Sequence, residues 1–117
     1  GYRDDPFTDK VRFHYGQDFA VNTGTKIYSP ADGKVKFASN QGGYGKVIKI
    51  DHGNGFRTIY AHLSKIKVKH GSIVKRGDLI GLSGNSGRSA GPHLHYEVHQ
   101  YGAPQNPIDY FFSGYLK

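Results

Sequence analysis

Cysteine, methionine and tryptophan are all missing from these 117 residues. Without cysteine there is no disulfide framework, no thiol nucleophile and no thiolate metal site. That absence is compatible with any compartment and decides no location. Acidic residues are few, nine Asp and Glu against sixteen Lys and Arg, which leaves a net charge of +7 before the seven histidines are counted. Long apolar runs are also lacking: hydrophobic residues make up 36% of the chain, and Lys or Gly interrupts every apolar stretch. None approaches the ~18–20 residues of a membrane helix. No sustained 3.6-residue apolar period, internal repeat or linker is visible. The chain opens at Gly1 with no charged-then-apolar leader, and reads as a processed product or a piece cut from something longer.

Glycine and aromatic residues are abundant, with seventeen Gly, nine Tyr and seven Phe. Each interior glycine costs a helix about 1 kcal/mol relative to alanine, so a helical bundle is excluded. So many aromatics at so modest a charge also exclude a disordered basic tail. The pattern predicts one all-β domain of many short antiparallel strands, with at most a helical turn near Asn106–Tyr110. The first ten residues read as an entry loop. Lys34–Ala38 reads as a half-buried strand with Val35 and Phe37 inward. Lys46–Asp51 and Phe56–His62 read as a hairpin around His52-Gly53-Asn54-Gly55, where Asn and Gly supply the positive φ of a tight reversal. Gln41–Gly45 and Asn85–Pro92 read as loops.

The histidines carry the chemistry. His93-Leu94-His95-Tyr96-Glu97-Val98-His99 alternates strictly. As a strand it places His93, His95, Glu97 and His99 on one face and Leu94, Tyr96 and Val98 on the other. Successive histidines on that face stand about 6–7 Å apart at Cβ, close enough to converge on one small centre. A pair of this kind on an exposed strand usually does nothing. Here, however, Gly84–Pro92 precedes it, a glycine-rich loop that lets backbone approach a ligand. A second group is His14-Tyr15-Gly16-Gln17-Asp18. Fully extended, positions 14 and 18 lie ~13 Å apart, so the two converge only if Gly16 bends the chain. A catalytic zinc takes three protein ligands from His and carboxylate groups and keeps a fourth position for water. His14, Asp18 and one of His93 or His95 meet that specification. His62, at the end of its predicted strand, is placed to reach such a centre as a base or a hydrogen-bond donor. His52 and His70 read as ordinary turn histidines, and His99 as peripheral.

His-x-x-x-Asp near the start, His62-Leu63 after a hairpin, and Gly84-Asn85-Ser86-Gly87-Arg88-Ser89-Ala90-Gly91-Pro92-His93-Leu94-His95-Tyr96-Glu97 together resemble the lysostaphin/LytM family of zinc endopeptidases. Ser29-Pro30-Ala31-Asp32-Gly33 and Val74-Lys75-Arg76-Gly77-Asp78 extend the match to about residues 14–110. The resemblance implies an antiparallel β core with loops walling a narrow groove, and one zinc per chain held by His14, Asp18 and His95. It also implies His62 and His93 as the two catalytic histidines, and cleavage of peptide bonds in bacterial peptidoglycan. Residues 1–117 then form a single domain, with a core of about 11–110, excised from a longer exported protein that acts outside the cytoplasm, in the periplasm or at the cell surface. A protein partner or an inhibitory segment of the parent chain is also implied.

Two rivals differ in class. A non-catalytic relative would regulate or scaffold other wall enzymes, but all five family positions are filled here. A basic nucleic-acid-binding domain would cluster Lys and aromatics on one strand face. Instead Lys34, Lys36, Lys46, Lys49, Lys65, Lys67, Lys69 and Lys75 are spread over many predicted strands, so no nucleic acid is expected as a partner.

Overall fold

The structure is a computed structural model that describes residues 2–5, 10–13, 17–101 and 103–105, with side chains described for 17–101. Among the described residues there are eleven strands: β1 Tyr2–Asp5, β2 Lys10–Phe13, β3 Gln17–Phe19, β4 Lys26–Tyr28, β5 Gly33–Asn40, β6 Lys46–Gly53, β7 Phe56–Ile66, β8 Ile73–Val74, β9 Leu79–Ser83, β10 Leu94–Gln100 and β11 Ala103–Gln105. β1 and β2 form a separate antiparallel pair, so the start of the chain is a strand rather than an entry loop. The other nine make one sheet with the central order β11-β10-β7-β6-β5-β8, and all of its pairings are antiparallel. His14 and the Asn106–Tyr110 turn lie outside the described residues.

Period-2 alternation builds the core. Leu94, Tyr96 and Val98 of β10 are buried and pack with Ile48 and Ile50 of β6, Tyr60 of β7, Val35 of β5 and Ile80 of β9. The Tyr60 and Tyr96 rings stand 5.4 Å apart at a 39° tilt, a pairing that adds roughly 0.5–1.5 kcal/mol beyond the area it buries. One predicted core residue is displaced. A bulge between Val35 and Phe37 shifts the β5–β6 register, so Ala38 packs against the core. Phe37 is left half-buried with the Lys49 ammonium 5.4 Å from its ring centroid. The extra residue of a bulge reverses the facing of everything beyond it.

The β6–β7 hairpin turns as its sequence predicts, with positive φ at Asn54 (51°) and Gly55 (79°). β7, however, runs on past His62 to Ile66 and changes neighbours as it does so. On one edge, Phe56–Ala61 pair with β10, whereas Leu63, Lys65 and Ile66 pair with β9. His62 sits at this fork with φ +61°, a left-handed conformation that costs a non-glycine residue of order 1–3 kcal/mol. In a regular strand residue 62 would point the same way as Tyr60, into the core. The kink turns it away, and Tyr60 and Leu63, three residues apart, both face the core.

The segment between β9 and β10 closes the fork. A lone antiparallel bridge joins Gly84 to His93, with the His93 N–H donating to the Gly84 carbonyl at 3.1 Å. The intervening loop is fastened to a 3-10 turn, Gly42–Tyr44, by the Arg88 N–H donating to the Gly43 carbonyl at 2.8 Å. At the crossing of these two loops Gly45 (φ +66°) and Gly87 (φ +73°) pass backbone against backbone. A Cβ on Gly87 would overlap the Gly45 nitrogen and lie 2.6 Å from the Gly43 carbonyl oxygen. Only glycine fits either position.

Candidate active site

The β7 fork, the start of β10 and β3 bring four of the expected site residues together. Asp18 of β3 is the direct cross-strand partner of His95 of β10, and His95 is also opposite Ala61 of β7. Asp18 Oδ1 lies 2.7 Å from His95 Nδ1 and 3.5 Å from His93 Nε2. The His62 ring is centred 4.8 Å from that of His93 and 6.0 Å from that of His95. A shallow groove over this cluster is lined by Gly43, Tyr44, His62, Arg88 and His95.

His62 and His93 are each held by one ring nitrogen and present the other. His62 Nδ1–H donates to the Ser86 carbonyl at 2.7 Å, and His93 Nδ1–H donates to the Gly91 carbonyl at 2.7 Å. Both backbone acceptors belong to the glycine-rich loop. They take the Nδ1 proton and leave Nε2 of each ring to face the site, and on His93 that atom faces Asp18. Ser86 also anchors the kink: its hydroxyl donates to the Leu63 carbonyl at 2.6 Å and accepts from the Lys46 N–H at 3.1 Å. Burial lowers the His62 pKa below its ordinary value, reinforced by the neighbouring His93 and His95 and opposed by the Ser86 hydrogen bond and Asp18.

The predicted histidine face of β10 is present, and it carries a residue to which sequence reasoning gave no role. Glu97 is only 3% exposed, and its carboxylate accepts three hydrogen bonds. His95 Nε2 donates to Oε2 at 2.7 Å, the Tyr44 hydroxyl to the same oxygen at 2.9 Å, and His99 Nε2 to Oε1 at 2.8 Å. Burial alone would raise the Glu97 pKa, but the hydrogen bonds from His95, His99 and Tyr44 together hold it at about 2. Burial likewise opposes charge on His95, yet the bonds to Glu97 and Asp18 outweigh it and raise its pKa. Strict alternation from His95 was the signal for Glu97. Nothing in the sequence pointed to Tyr44, which arrives from a loop fifty residues away.

His52 is more than a turn histidine. Its Nδ1–H donates to the Asp32 carbonyl at 2.8 Å, and its Nε2 accepts from the Thr58 hydroxyl at 2.6 Å. The Thr58 oxygen in turn accepts from the Tyr60 hydroxyl at 2.6 Å. This chain runs from surface to core on the side away from the site, and burial lowers the His52 pKa. His70 is exposed, as expected.

The donor chemistry suits zinc. An imidazole nitrogen and a carboxylate oxygen face each other across 2.7 Å, and a tetrahedral ion with bonds of ~2.1 Å separates its donors by ~3.4 Å. Asp18, with its side chain 51% exposed, has room to open by that difference. Nitrogen and oxygen donors with no sulfur are those of hydrolytic rather than structural zinc sites.

The chain is similar to known proteins. The family model described as peptidase family M23 matches residues 12–107. The peptidoglycan DD-endopeptidase ShyA of Vibrio cholerae is 50% identical over 103 residues, covering 88% of this chain and 24% of that protein. A zinc-containing peptidase from Vibrio cholerae superposes with a TM-score of 0.81 at 42% identity, over 90% of this chain and 33% of that one. The catalytic domain of lysostaphin from Staphylococcus simulans superposes with a TM-score of 0.76 at 38% identity, over 82% of this chain and 77% of that domain. The chain spans about a quarter of the length of curated relatives such as ShyA.

Proposed function

This chain belongs to peptidase family M23, and from that premise we propose that it is a zinc-dependent endopeptidase that hydrolyses peptide bonds in bacterial peptidoglycan. The observation that carries this reading is the convergence of Asp18, His62, His93 and His95 at the β7 fork. Relatives named as peptidoglycan DD-endopeptidases support the substrate.

Asp18 and His95 hold the zinc, and His14, which lies outside the described residues, completes the three-ligand set. Bound there, zinc supplies Lewis acidity to the scissile carbonyl and to the attacking water. His62 and His93 act with their Nε2 atoms, since Nδ1 of each is committed to a backbone carbonyl. One accepts the proton of the attacking water on its Nε2 lone pair, while the other, with Nε2 protonated as well, donates a hydrogen bond to the developing oxyanion. Both rings are oriented before substrate arrives, so little ordering is left for the transition state.

The 117 residues act as a single domain of a longer exported protein, outside the cytoplasm, where peptidoglycan lies. The positive charge favours approach to an anionic envelope, an effect that salt screens. Among the described residues no helix is long and apolar enough to cross a membrane.

The test is incubation of the purified chain, loaded with one equivalent of zinc, with isolated peptidoglycan. New peptide termini are expected in the wall material, seen as fewer cross-linked peptides or as shortened ones once the glycan strands are digested, and a chelator should abolish them. No cleavage, or cleavage that a chelator leaves intact, sinks the proposal.

A further inference from the structure

Glu97 is a buried carboxylate behind the groove-lining Tyr44 and His95, and it occupies the nitrogen of His95 opposite the one facing Asp18. We propose that Glu97 is a positioning residue for the zinc site: by accepting from His95 Nε2–H it leaves Nδ1, the nitrogen facing Asp18, as the one that exchanges its proton for the metal. The inference rests on the zinc reading above and adds to it a residue outside the ligand set.

The geometry is specific. A neutral imidazole carries one N–H, and whichever nitrogen donates leaves the other as the ligand. Both ring nitrogens of His95 meet a carboxylate oxygen at 2.7 Å, Glu97 on Nε2 and Asp18 on Nδ1. Of the two only Nδ1 faces the half-exposed carboxylate of the metal site, so Nε2 keeps its proton on buried Glu97 when the metal takes Nδ1. A carboxylate on the far side of a ligand histidine also raises the basicity of the coordinating nitrogen. Glu97 is itself kept in place from two directions. The Tyr44 hydroxyl shares Oε2 with His95, and His99 Nε2 holds Oε1. His99, peripheral in the sequence, thus anchors the carboxylate, and Tyr44 ties the groove wall to it.

The same geometry dictates which replacement should work. In Glu97→Gln the amide oxygen can take the Oε2 position and accept from both His95 and Tyr44. The amide NH2 then takes the Oε1 position and donates to His99, whose ring turns to its other tautomer. Glu97→Leu fills similar volume but accepts nothing, leaving His95 Nε2–H without a partner.

Zinc affinity of the purified chain, read by competition with a chromogenic chelator, tests the proposal on variants whose circular dichroism matches the wild type. Glu97→Leu should bind zinc about 10–100-fold more weakly, and Glu97→Gln should recover most of that loss. Ring nitrogen NMR of the zinc-loaded wild type should find zinc on His95 Nδ1 and the proton on Nε2, a readout that needs no variant to fold. Wild-type zinc affinity in Glu97→Leu, or zinc on His95 Nε2, overturns the positioning role alone. A wild-type chain that binds no zinc overturns the metal reading and this inference with it.

Discussion

Asp18 and His95 are direct cross-strand partners, and their facing atoms, Oδ1 and Nδ1, lie 2.7 Å apart. The residues are 77 positions apart in the chain, so only the β3–β10 pairing makes them neighbours. A carboxylate and an imidazole this close suit a shared cation.

Removing either partner should therefore empty the site. Asp18→Ala and His95→Ala are each expected to lose stoichiometric zinc, measured by elemental analysis after dialysis, together with peptide cleavage. Stoichiometric zinc surviving in His95→Ala would defeat the ligand assignment. Asp18 is half exposed, so its loss should leave the folded circular dichroism spectrum intact.

His62 should separate binding from turnover. Its ring is held by Ser86 and lies beside the ligands rather than among them. His62→Ala is expected to keep one zinc and to lose about 10²–10⁴ in turnover, the usual contribution of a positioned acid or base. Digestion of cell walls at the wild-type rate would remove His62 from the reaction.

The crossing of Gly45 and Gly87 should be intolerant of any side chain. A methyl group at Gly87 meets backbone on the 42–45 loop at less than contact distance, in a conformation of positive φ. Gly87→Ala is expected to cost at least about 1–3 kcal/mol of stability and to lower activity by displacing Ser86 and, through it, His62. Thermal unfolding and peptide cleavage measured on the same sample would check both. Unchanged melting with full activity would mean that the two loops part without consequence.

His52 should make the fold acid-sensitive. Burial lowers its pKa below the ordinary value near 6.5, so on acidification the unfolded chain takes up its proton first. Stability then falls as pH drops below about 6.5, until the folded ring also protonates. His52→Gln should melt lower than the wild type at pH 7, having lost bonds to Asp32 and Thr58. It should also lose less on going to pH 5. Melting curves taken in chelator, so that metal release plays no part, would show this as a shallower slope. Parallel slopes would exclude His52 as the source.

Much of this molecule was legible in the sequence where a short-range rule applies. Leu94, Tyr96 and Val98 against His95, Glu97 and His99 follow from alternation alone, and Asn54-Gly55 announces its own turn through positive φ. The inward assignment of Phe37 failed because a bulge adds one residue to β5, and alternation carries no record of where a strand slips. Tyr44 was invisible as a partner of Glu97 because its loop lacks a period.

By itself the sequence determined an all-β, cysteine-free, glycine-rich chain with a histidine face on one strand, since composition and period-2 spacing act locally. The tertiary structure alone decided that β7 changes partners at His62, that the kink turns this ring away from the core, and that Asp18 meets His95. Those outcomes depend on which strands pair and in what register. That choice is made by burial summed over the whole sheet, and no local segment encodes it.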